Sequence, residues 1–263
     1  MKKCLLLVSA WLPALAFAQL EVKELNTRPD VTLRFAYARA PNAIASAVLF
    51  QGGGGNIGIF PNGSMRVESF LSGGARRFND NGITVAIVDV PSDRRILDDF
   101  RHTQEHAEDA AAVIAFLRQR DKLPIWAIGT SNGSLSAANA AARLGPRGPD
   151  GIVLTSSTTL APVSGAHPVT LASLGEIRAP ALFVHHRDDG CLVTPYAAIA
   201  EVMASMKTSK KVDLITVDGG SSQGNPCYTG YHQFLGIEVG VTQQIADWIK
   251  QYQAGSGAVK AER

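Results

Sequence analysis

The sequence predicts an α/β protein with a mostly parallel sheet and helices on both faces. Short apolar, β-branched runs bounded by Gly, Pro, Asn or Asp recur along the chain, as strands do. The first runs follow one another directly, which favours an antiparallel start. The later runs alternate with segments that repeat an apolar residue every three or four positions, and this alternation is typical of strand-helix-strand units.

The pattern predicts seven strands and five helices. The strands are expected at residues 31–38, 43–50, 83–90, 124–129, 151–156, 179–186 and 212–217. The helices are expected at residues 64–80, 94–120, 133–144, 195–206 and 241–252. In the helix over 94–120, residues such as Ile96, Phe100, Ala107 and Ile114 would form one apolar stripe against the sheet.

The first 18 residues, MKKCLLLVSAWLPALAFA, differ from the rest of the chain. Two lysines precede an apolar run, and Ala16-Phe17-Ala18 is a small-residue pattern typical of a cleavage site. The segment is too short for a membrane span, and a buried N-terminal helix seldom begins with Lys-Lys. We therefore predict a signal peptide at residues 1–18, a single domain over residues 19–263, and export to the periplasm or beyond the cell.

Charge and composition narrow the function. Cleavage would remove Lys2 and Lys3, which leaves 23 basic residues against 23 acidic ones. A neutral chain gives no electrostatic reason to bind nucleic acid or an anionic membrane. Hydrophobic residues make up 46% of the chain, and no repeat or low-complexity linker divides it, so one large core is expected. No pattern indicates an oligomeric state.

The stretch WAIGTSNGSLSAANAA, residues 126–141, contains the strongest motif. An apolar strand leads into Gly129-Thr130-Ser131-Asn132-Gly133, and an alanine-rich helix follows. This is G-x-S-x-G, in which a tight strand-to-helix turn exposes the serine and requires glycine two places to either side. The context predicts that Ser131 is a nucleophile and that the N–H of Asn132 helps to bind an oxyanion. An ordinary Gly/Ser turn is the alternative.

A serine nucleophile needs a histidine base and an acid that orients it. Both follow in the chain. Asp188 and Asp189 lie in a loop after the strand at 179–186, and His232 lies in a Gly-rich and aromatic loop after the last strand. The order along the chain is therefore Ser, Asp, His.

Together these elements resemble the α/β hydrolases, and within them the dienelactone hydrolases and esterases. The resemblance covers essentially the whole mature chain and implies a triad of Ser131, His232 and Asp189 without metal or organic cofactor. The acid loop resembles the family's H-G-x-x-D pattern with His185 in the His position, which favours Asp189. Asp188 remains an alternative, because the loop is longer before its proline and this length can shift the register, and because His186 stands where the family has glycine. Only about 23 residues separate the strands at 151–156 and 179–186, so little or no lid is expected.

The resemblance also implies a second oxyanion donor in the loop after an early strand, where the family often has H-G-G-G. Here that loop reads Gln51-Gly52-Gly53-Gly54-Gly55, with glutamine in place of histidine. Gly53 is the favoured donor, although any glycine of residues 52–55 could serve. A flexible turn without catalytic role is the other interpretation.

Two further patterns bear on the site. Cys191 and Cys227 are the cysteines that remain after cleavage, and an oxidising compartment allows them to form a disulfide that joins the acid and base loops. Two free thiols are the alternative. The string HTQEH, residues 102–106, matches a zinc-peptidase motif, but without a third ligand we expect no metal there.

The expected function is that of a secreted serine hydrolase that cleaves a carboxylic ester or related acyl bond of a small molecule. A serine peptidase, an acyltransferase and a non-catalytic binding protein of the same fold are the alternatives. The identity and acyl chain length of the substrate do not follow from these patterns.

Overall fold

The computed structural model describes residues 20–161 and 165–261, with backbone alone for residues 256–261. The strands are β1 Glu21–Arg28, β2 Val31–Ala38, β3 Ala45–Phe50, β4 Ile83–Pro91, β5 Ile125–Thr130, β6 Gly151–Thr155, β7 Ala181–His186 and β8 Val212–Val217. The α-helices are α1 Ala75–Asp80, α2 Gln104–Asp121, α3 Gly133–Leu144, α4 Ile199–Ala204 and α5 Glu238–Ala261. The predicted signal peptide lies outside the described residues.

All eight strands form one sheet in the order β1-β2-β4-β3-β5-β6-β7-β8. Strand β2 is antiparallel to both β1 and β4, and every pairing from β4 to β8 is parallel. The central strands β3, β5, β6 and β7 are buried along their whole length, which explains their continuous apolar runs. The carboxyl ends of these parallel strands meet at one edge of the sheet, where ligands bind in such folds.

Two hydrophobic clusters cover the two faces of the sheet. On one face, Ile114 of α2, Leu135 of α3 and Ile199 of α4 belong to a single buried cluster. On the other face, Phe78 of α1 and Ile249 of α5 belong to a second buried cluster. The mostly parallel sheet with helices on both faces is therefore confirmed.

The structure corrects three sequence-based expectations. The helix predicted over residues 94–120 begins only at Gln104, because Asp99 adopts a left-handed conformation at φ 57° and Thr103 caps the helix by accepting a hydrogen bond from the His106 N–H. The helix predicted over 64–80 is reduced to α1, preceded by a single 3-10 turn. Strand β1 was not predicted, because it is a polar edge strand without a fully buried residue.

The connection between β6 and β7 is short. Its described parts, residues 156–161 and 165–180, contain two 3-10 turns and no α-helix. This agrees with the expectation of little or no lid. Within the described chain, no helix combines the length and apolar composition that a bilayer span requires.

Candidate active site

Ser131 lies at the sharp turn between β5 and α3, at the carboxyl edge of the sheet. Its φ of 53° is in the left-handed region, which a serine adopts only when the surrounding structure imposes it. The flanking glycines impose the turn: a Cβ on Gly129 would lie 2.1 Å from the Gly133 carbonyl oxygen, and one on Gly133 would lie 2.1 Å from the Phe50 carbonyl oxygen. These close backbone approaches explain the glycine spacing of the motif.

Asp189 lies in the loop after β7, and its carboxylate is completely buried. Oδ2 accepts hydrogen bonds from Nδ1 of His232 and from the Thr194 hydroxyl, both at 2.9 Å. Oδ1 accepts a third bond from the Cys191 N–H at 3.0 Å. Nε2 of His185 is 3.4 Å from Oδ2 and also donates to the Thr194 carbonyl at 2.8 Å. The carboxylate is thus held from four directions.

These contacts decide the charge of Asp189. Burial alone would raise the pKa of this carboxyl, but the hydrogen bonds from His185 and His232, the charge of His232 and the Cys191 N–H together hold the pKa well below its usual range. Asp189 is therefore ionised at neutral pH and able to orient an imidazole.

Asp188 lies in a different environment. Its side chain is exposed, while its N–H donates to Nδ1 of His186 at 3.0 Å. Nε2 of His186 in turn donates to the Gly219 carbonyl at 2.8 Å, and the imidazole ring stacks on Tyr231 at 4.1 Å. His186 therefore joins the acid loop to the base loop, a role that the missing glycine of the family pattern did not reveal.

His232 lies in the 3-10 turn Gly230–Gln233 and is buried. Its Nε2 has no hydrogen-bond partner among the described residues, so the bond to the Ser131 hydroxyl is not formed here. Both residues nevertheless flank the end of β6: the Ser131 N–H donates to the Thr155 carbonyl at 3.0 Å, and the Ser156 hydroxyl donates to the His232 carbonyl at 2.9 Å.

A disulfide joins Cys191 to Cys227, as predicted from the sequence. Cys191 is two residues from Asp189, and Cys227 is five residues from His232. The bridge therefore connects the loop that carries the acid to the loop that carries the base. Both cysteines also line the cleft beside Ser131.

The glycine loop contacts the elbow directly. A Cβ on Gly52 would lie 2.8 Å from the Ser131 Cβ, so only glycine allows this approach. The Asn132 side-chain amide donates to the Gly53 carbonyl at 3.5 Å and to the Gly165 carbonyl at 2.7 Å. No described acceptor takes a hydrogen bond from the backbone N–H of either Gly53 or Asn132. Each of these N–H groups is therefore a donor without a described acceptor. One belongs to the residue after Ser131, and the other to the residue after Gly52, which approaches Ser131.

Ser131 opens into a cleft of about 500 Å³. The glycine loop, the elbow and both disulfide cysteines line it, and Gln233, next to His232 in the chain, lines it as well. Two acidic residues, Glu68 and Asp98, also belong to the lining. Leu192 and Tyr228, which follow the two cysteines in the chain, are 77% and 71% exposed.

The two histidines of HTQEH do not approach this cleft. His106 is buried and packs edge-on against Phe50 and Phe100 at 6.0 and 5.5 Å between ring centroids. Burial, followed by the charges of Arg101 and Arg28, lowers the pKa of His106 to about 3. Across the described parts of the chain, no group of three or more His, Cys, Asp and Glu side chains is arranged to hold a metal ion.

Sequence reasoning missed three residues that support the site. Thr194 bonds Asp189 and lies 3.3 Å from Nδ1 of His232, and Ser156 holds the backbone of the base loop. Arg101 donates from below to the glycine loop. Thr194 and Ser156 carry no motif, and Arg101 was assigned to a regular helix. Because α2 begins at Gln104 and not at residue 94, Arg101 lies before the helix, and its side chain turns inward.

Comparisons with known proteins support the fold. Neither a protein-family model nor a curated protein matches the sequence. Among solved structures, an esterase of Pyrococcus furiosus is similar with a TM-score of 0.67 and 14% identity, over 94% of this chain and 96% of that chain. Est1E from Butyrivibrio proteoclasticus gives a TM-score of 0.59 and 17% identity over 88% and 99% of the two chains. A dienelactone hydrolase from Anabaena variabilis gives 0.58 and 15% over 89% and 98%. The chain therefore has the α/β-hydrolase fold.

Proposed function

We propose that the protein is an exported serine hydrolase that cleaves a carboxylic ester by a Ser-His-Asp mechanism. Two observations carry the proposal: Asp189 and His232 form a buried pair 2.9 Å apart, and Ser131 has a strained backbone conformation at the same edge of the sheet. A non-catalytic protein of this fold would have no use for a strained serine and a histidine nitrogen without a partner.

In the proposed reaction, Oγ of Ser131 attacks the ester carbonyl while Nε2 of His232 accepts its proton. Asp189 keeps the proton on Nδ1 and stabilises the imidazolium that forms. The N–H groups of Gly53 and Asn132 donate to the oxyanion of the tetrahedral intermediate. Collapse releases the alcohol, which takes the proton from His232. Water then attacks the acyl-serine with the same base and releases the carboxylic acid.

The cleft favours a small or slender ester without negative charge. A volume of about 500 Å³ fits a small molecule, and Gly165 and Ala166 of the β6–β7 connection line the cleft. Glu68 and Asp98 in the lining would repel an anionic substrate. Among proteins of similar structure, Est1E has been solved with ferulic acid bound, and two others are named an esterase and a dienelactone hydrolase. These names favour ester chemistry.

Export is part of the proposal. The sequence of residues 1–18 has the pattern of a signal peptide. A disulfide between Cys191 and Cys227 is stable in an oxidising compartment such as the periplasm.

The test combines covalent labelling with turnover. The mature protein is incubated with a fluorophosphonate and analysed by peptide mass spectrometry, and hydrolysis is measured on 4-nitrophenyl esters of increasing acyl length. We expect a single adduct on Ser131, and a loss of at least about 10³-fold in kcat for Ser131→Ala. Ser205→Ala, which changes a serine outside the cleft, is the matched control and should retain activity. Folded protein that is neither labelled nor active on any ester would contradict the proposal.

A further inference from the structure

Arg101 is a buried cation without an anionic hydrogen-bond partner. It lies between β4 and α2, and only 1% of it is exposed. Its guanidinium donates to the Gln51 carbonyl at 3.0 Å, the Gly53 carbonyl at 2.9 Å and the Ser136 hydroxyl at 2.7 Å. Its Nε has no partner among the described residues. Every acceptor that it contacts is thus uncharged.

The guanidinium keeps its charge in this environment. Burial lowers the pKa of Arg101 to about 10, while the charge of Asp98 acts in the opposite direction. The side chain is therefore still cationic at neutral pH. Burying a charge without a paired carboxylate is strongly unfavourable, so packing alone gives no reason for an arginine here.

The acceptors of Arg101 bracket one peptide bond of the glycine loop. Its NH2 group holds the carbonyls of Gln51 and Gly53, and the carbonyl of Gly52 between them accepts from the Gly55 N–H at 3.1 Å. Three successive carbonyls are thereby fixed. Because a trans peptide is planar, fixing the Gly52 carbonyl also fixes the Gly53 N–H, which points the opposite way.

The same carbonyl links this loop to the elbow. The carbonyl oxygen of Gly53 accepts hydrogen bonds from Arg101 and from the side-chain amide of Asn132. The backbone N–H of Asn132 is the other proposed oxyanion donor. On the far side, Ser136 of α3 ties Arg101 to the helix that begins at the elbow. Arg101 thus joins the two backbone segments that would have to stay in register to bind one oxygen atom.

We propose that Arg101 is a positioning residue of the oxyanion hole, which holds the Gly53 N–H in place relative to Asn132 and adds positive charge beneath the loop. The proposal rests on the function proposed above. Positioning of the Gly53 N–H by Arg101 matters most when negative charge develops on the substrate oxygen, and much less when the neutral ester binds.

The experiment compares Arg101→Gln and Arg101→Lys with a matched control, Arg118→Gln. Arg118 also donates to two loop carbonyls, those of Pro146 at 3.2 Å and Gly148 at 3.0 Å, but outside the cleft. For each variant, kcat and KM are measured on 4-nitrophenyl acetate, and inhibition is measured with a phenylboronic acid, which forms a tetrahedral adduct with a reactive serine. Near-UV circular dichroism reports folding.

We expect Arg101→Gln to lower kcat by about 10²–10³-fold with little change in KM, because a displaced oxyanion donor acts on the transition state. The inhibition constant of the boronic acid should rise with the loss in kcat/KM. Arg101→Lys keeps a cationic donor, and its kcat should be about tenfold higher than that of Arg101→Gln. Arg118→Gln should stay within about twofold of the parent enzyme.

The proposal is overturned if folded Arg101→Gln keeps the parent kcat, or if its loss appears in KM with unchanged boronic acid inhibition. Should Arg101→Gln fail to fold, Arg101→Lys decides by the same division between kcat and KM. Labelling of parent Ser131 by a fluorophosphonate separates the two proposals. A labelled and active parent with indifferent Arg101 variants refutes only the role of Arg101, whereas an unlabelled and inactive parent refutes the proposed function.

Discussion

The two halves of the candidate site are built in opposite ways. In the acid–base half, which comprises Asp189, His232 and their loops, the carboxylate is surrounded by donors and a disulfide joins the two loops. In the nucleophile half, which comprises Ser131, Asn132 and the glycine loop, the serine backbone is strained and two N–H groups have no described acceptor. The Asp189 carboxylate is fully hydrogen-bonded in the first half, whereas the second half leaves two backbone N–H groups without a described acceptor.

The difference follows from what each half would do. An acid that orients a base must keep one geometry and one charge through the whole cycle, so a saturated, crosslinked environment suits it. A nucleophile and an oxyanion hole must offer unused groups to the substrate. Leaving such groups unpaired costs stability. The close backbone contacts of the glycines and, in the role proposed above, the hydrogen bonds of Arg101 would hold these groups in position.

The largest expected effect is on the acid–base half. Asp189→Asn should lower kcat by about 10⁴-fold, because an amide no longer favours the tautomer of His232 that leaves Nε2 free to accept a proton. Steady-state kinetics on 4-nitrophenyl acetate measure it. Asp188→Asn is the matched control, since its side chain is exposed, and it should stay within about twofold. Equal losses in the two variants would remove Asp189 from the mechanism.

In the nucleophile half, the elbow depends on glycine more than on any side chain. A methyl group on Gly133 would lie 2.1 Å from the Phe50 carbonyl oxygen, so Gly133→Ala must displace β3 or α3. We expect it to lower the free energy of unfolding by at least about 4 kcal/mol, measured by urea denaturation. Gly240→Ala, in α5 with open space around the new methyl, should instead raise it by about 0.5–1 kcal/mol. A Gly133→Ala protein as stable as the parent would show that the turn can relax.

The sequence predicted those parts of the molecule that depend on local pattern. Buried strands such as β5 and β7 were predicted within two residues, because both their faces are apolar, and the G-x-S-x-G spacing was sufficient to predict the turn at Ser131. The disulfide followed from cysteine number and compartment. Each of these features depends on the residue types within a short stretch of the chain or on the number of cysteines.

What could not be predicted depends on contacts between distant segments. Whether Asp188 or Asp189 faces His232 depends on the path of the loop after β7, because a shift of one residue along this loop exchanges the two side chains. Arg101 lies within the helix predicted over residues 94–120 and outside its apolar stripe. In the structure it follows the left-handed Asp99 and donates to the Gln51 carbonyl, 50 residues earlier in the chain. Thr194 and Ser156 belong to no motif, and their roles exist only where the strand ends meet.

The crosslink of the acid–base half should contribute less than the elbow glycine. For a sequence separation of 36, the chain-entropy model gives about 4 kcal/mol from restricting the unfolded chain. The double variant Cys191→Ser, Cys227→Ser should lose up to that amount in urea denaturation. Because the bridge joins the loops of Asp189 and His232, kcat should fall while labelling of Ser131 persists. The parent protein treated with reductant is the control and should match the double variant. Unchanged stability and kcat would show that hydrogen bonds alone hold the two loops.

The smallest effect concerns His106, which packs against Phe50 at the base of the glycine loop. The pKa of His106 falls from 6.5 to about 3 on folding. At a pH between these two values, the imidazole is protonated in the unfolded chain and neutral in the folded chain. The stability from the neutral imidazole is fully present above pH 6.5 and is lost as the pH falls toward 3. The loss of unfolding free energy between pH 7 and pH 5 that comes from His106 is about 2 kcal/mol.

In His106→Leu this loss of about 2 kcal/mol should disappear, because leucine does not titrate and fits the same apolar site. Urea denaturation of both proteins at pH 7 and pH 5 gives the difference, in which all other titrating groups cancel. Identical pH dependence in the two proteins would mean that His106 accepts its proton in the folded state, and a second buried charge would then lie near that of Arg101.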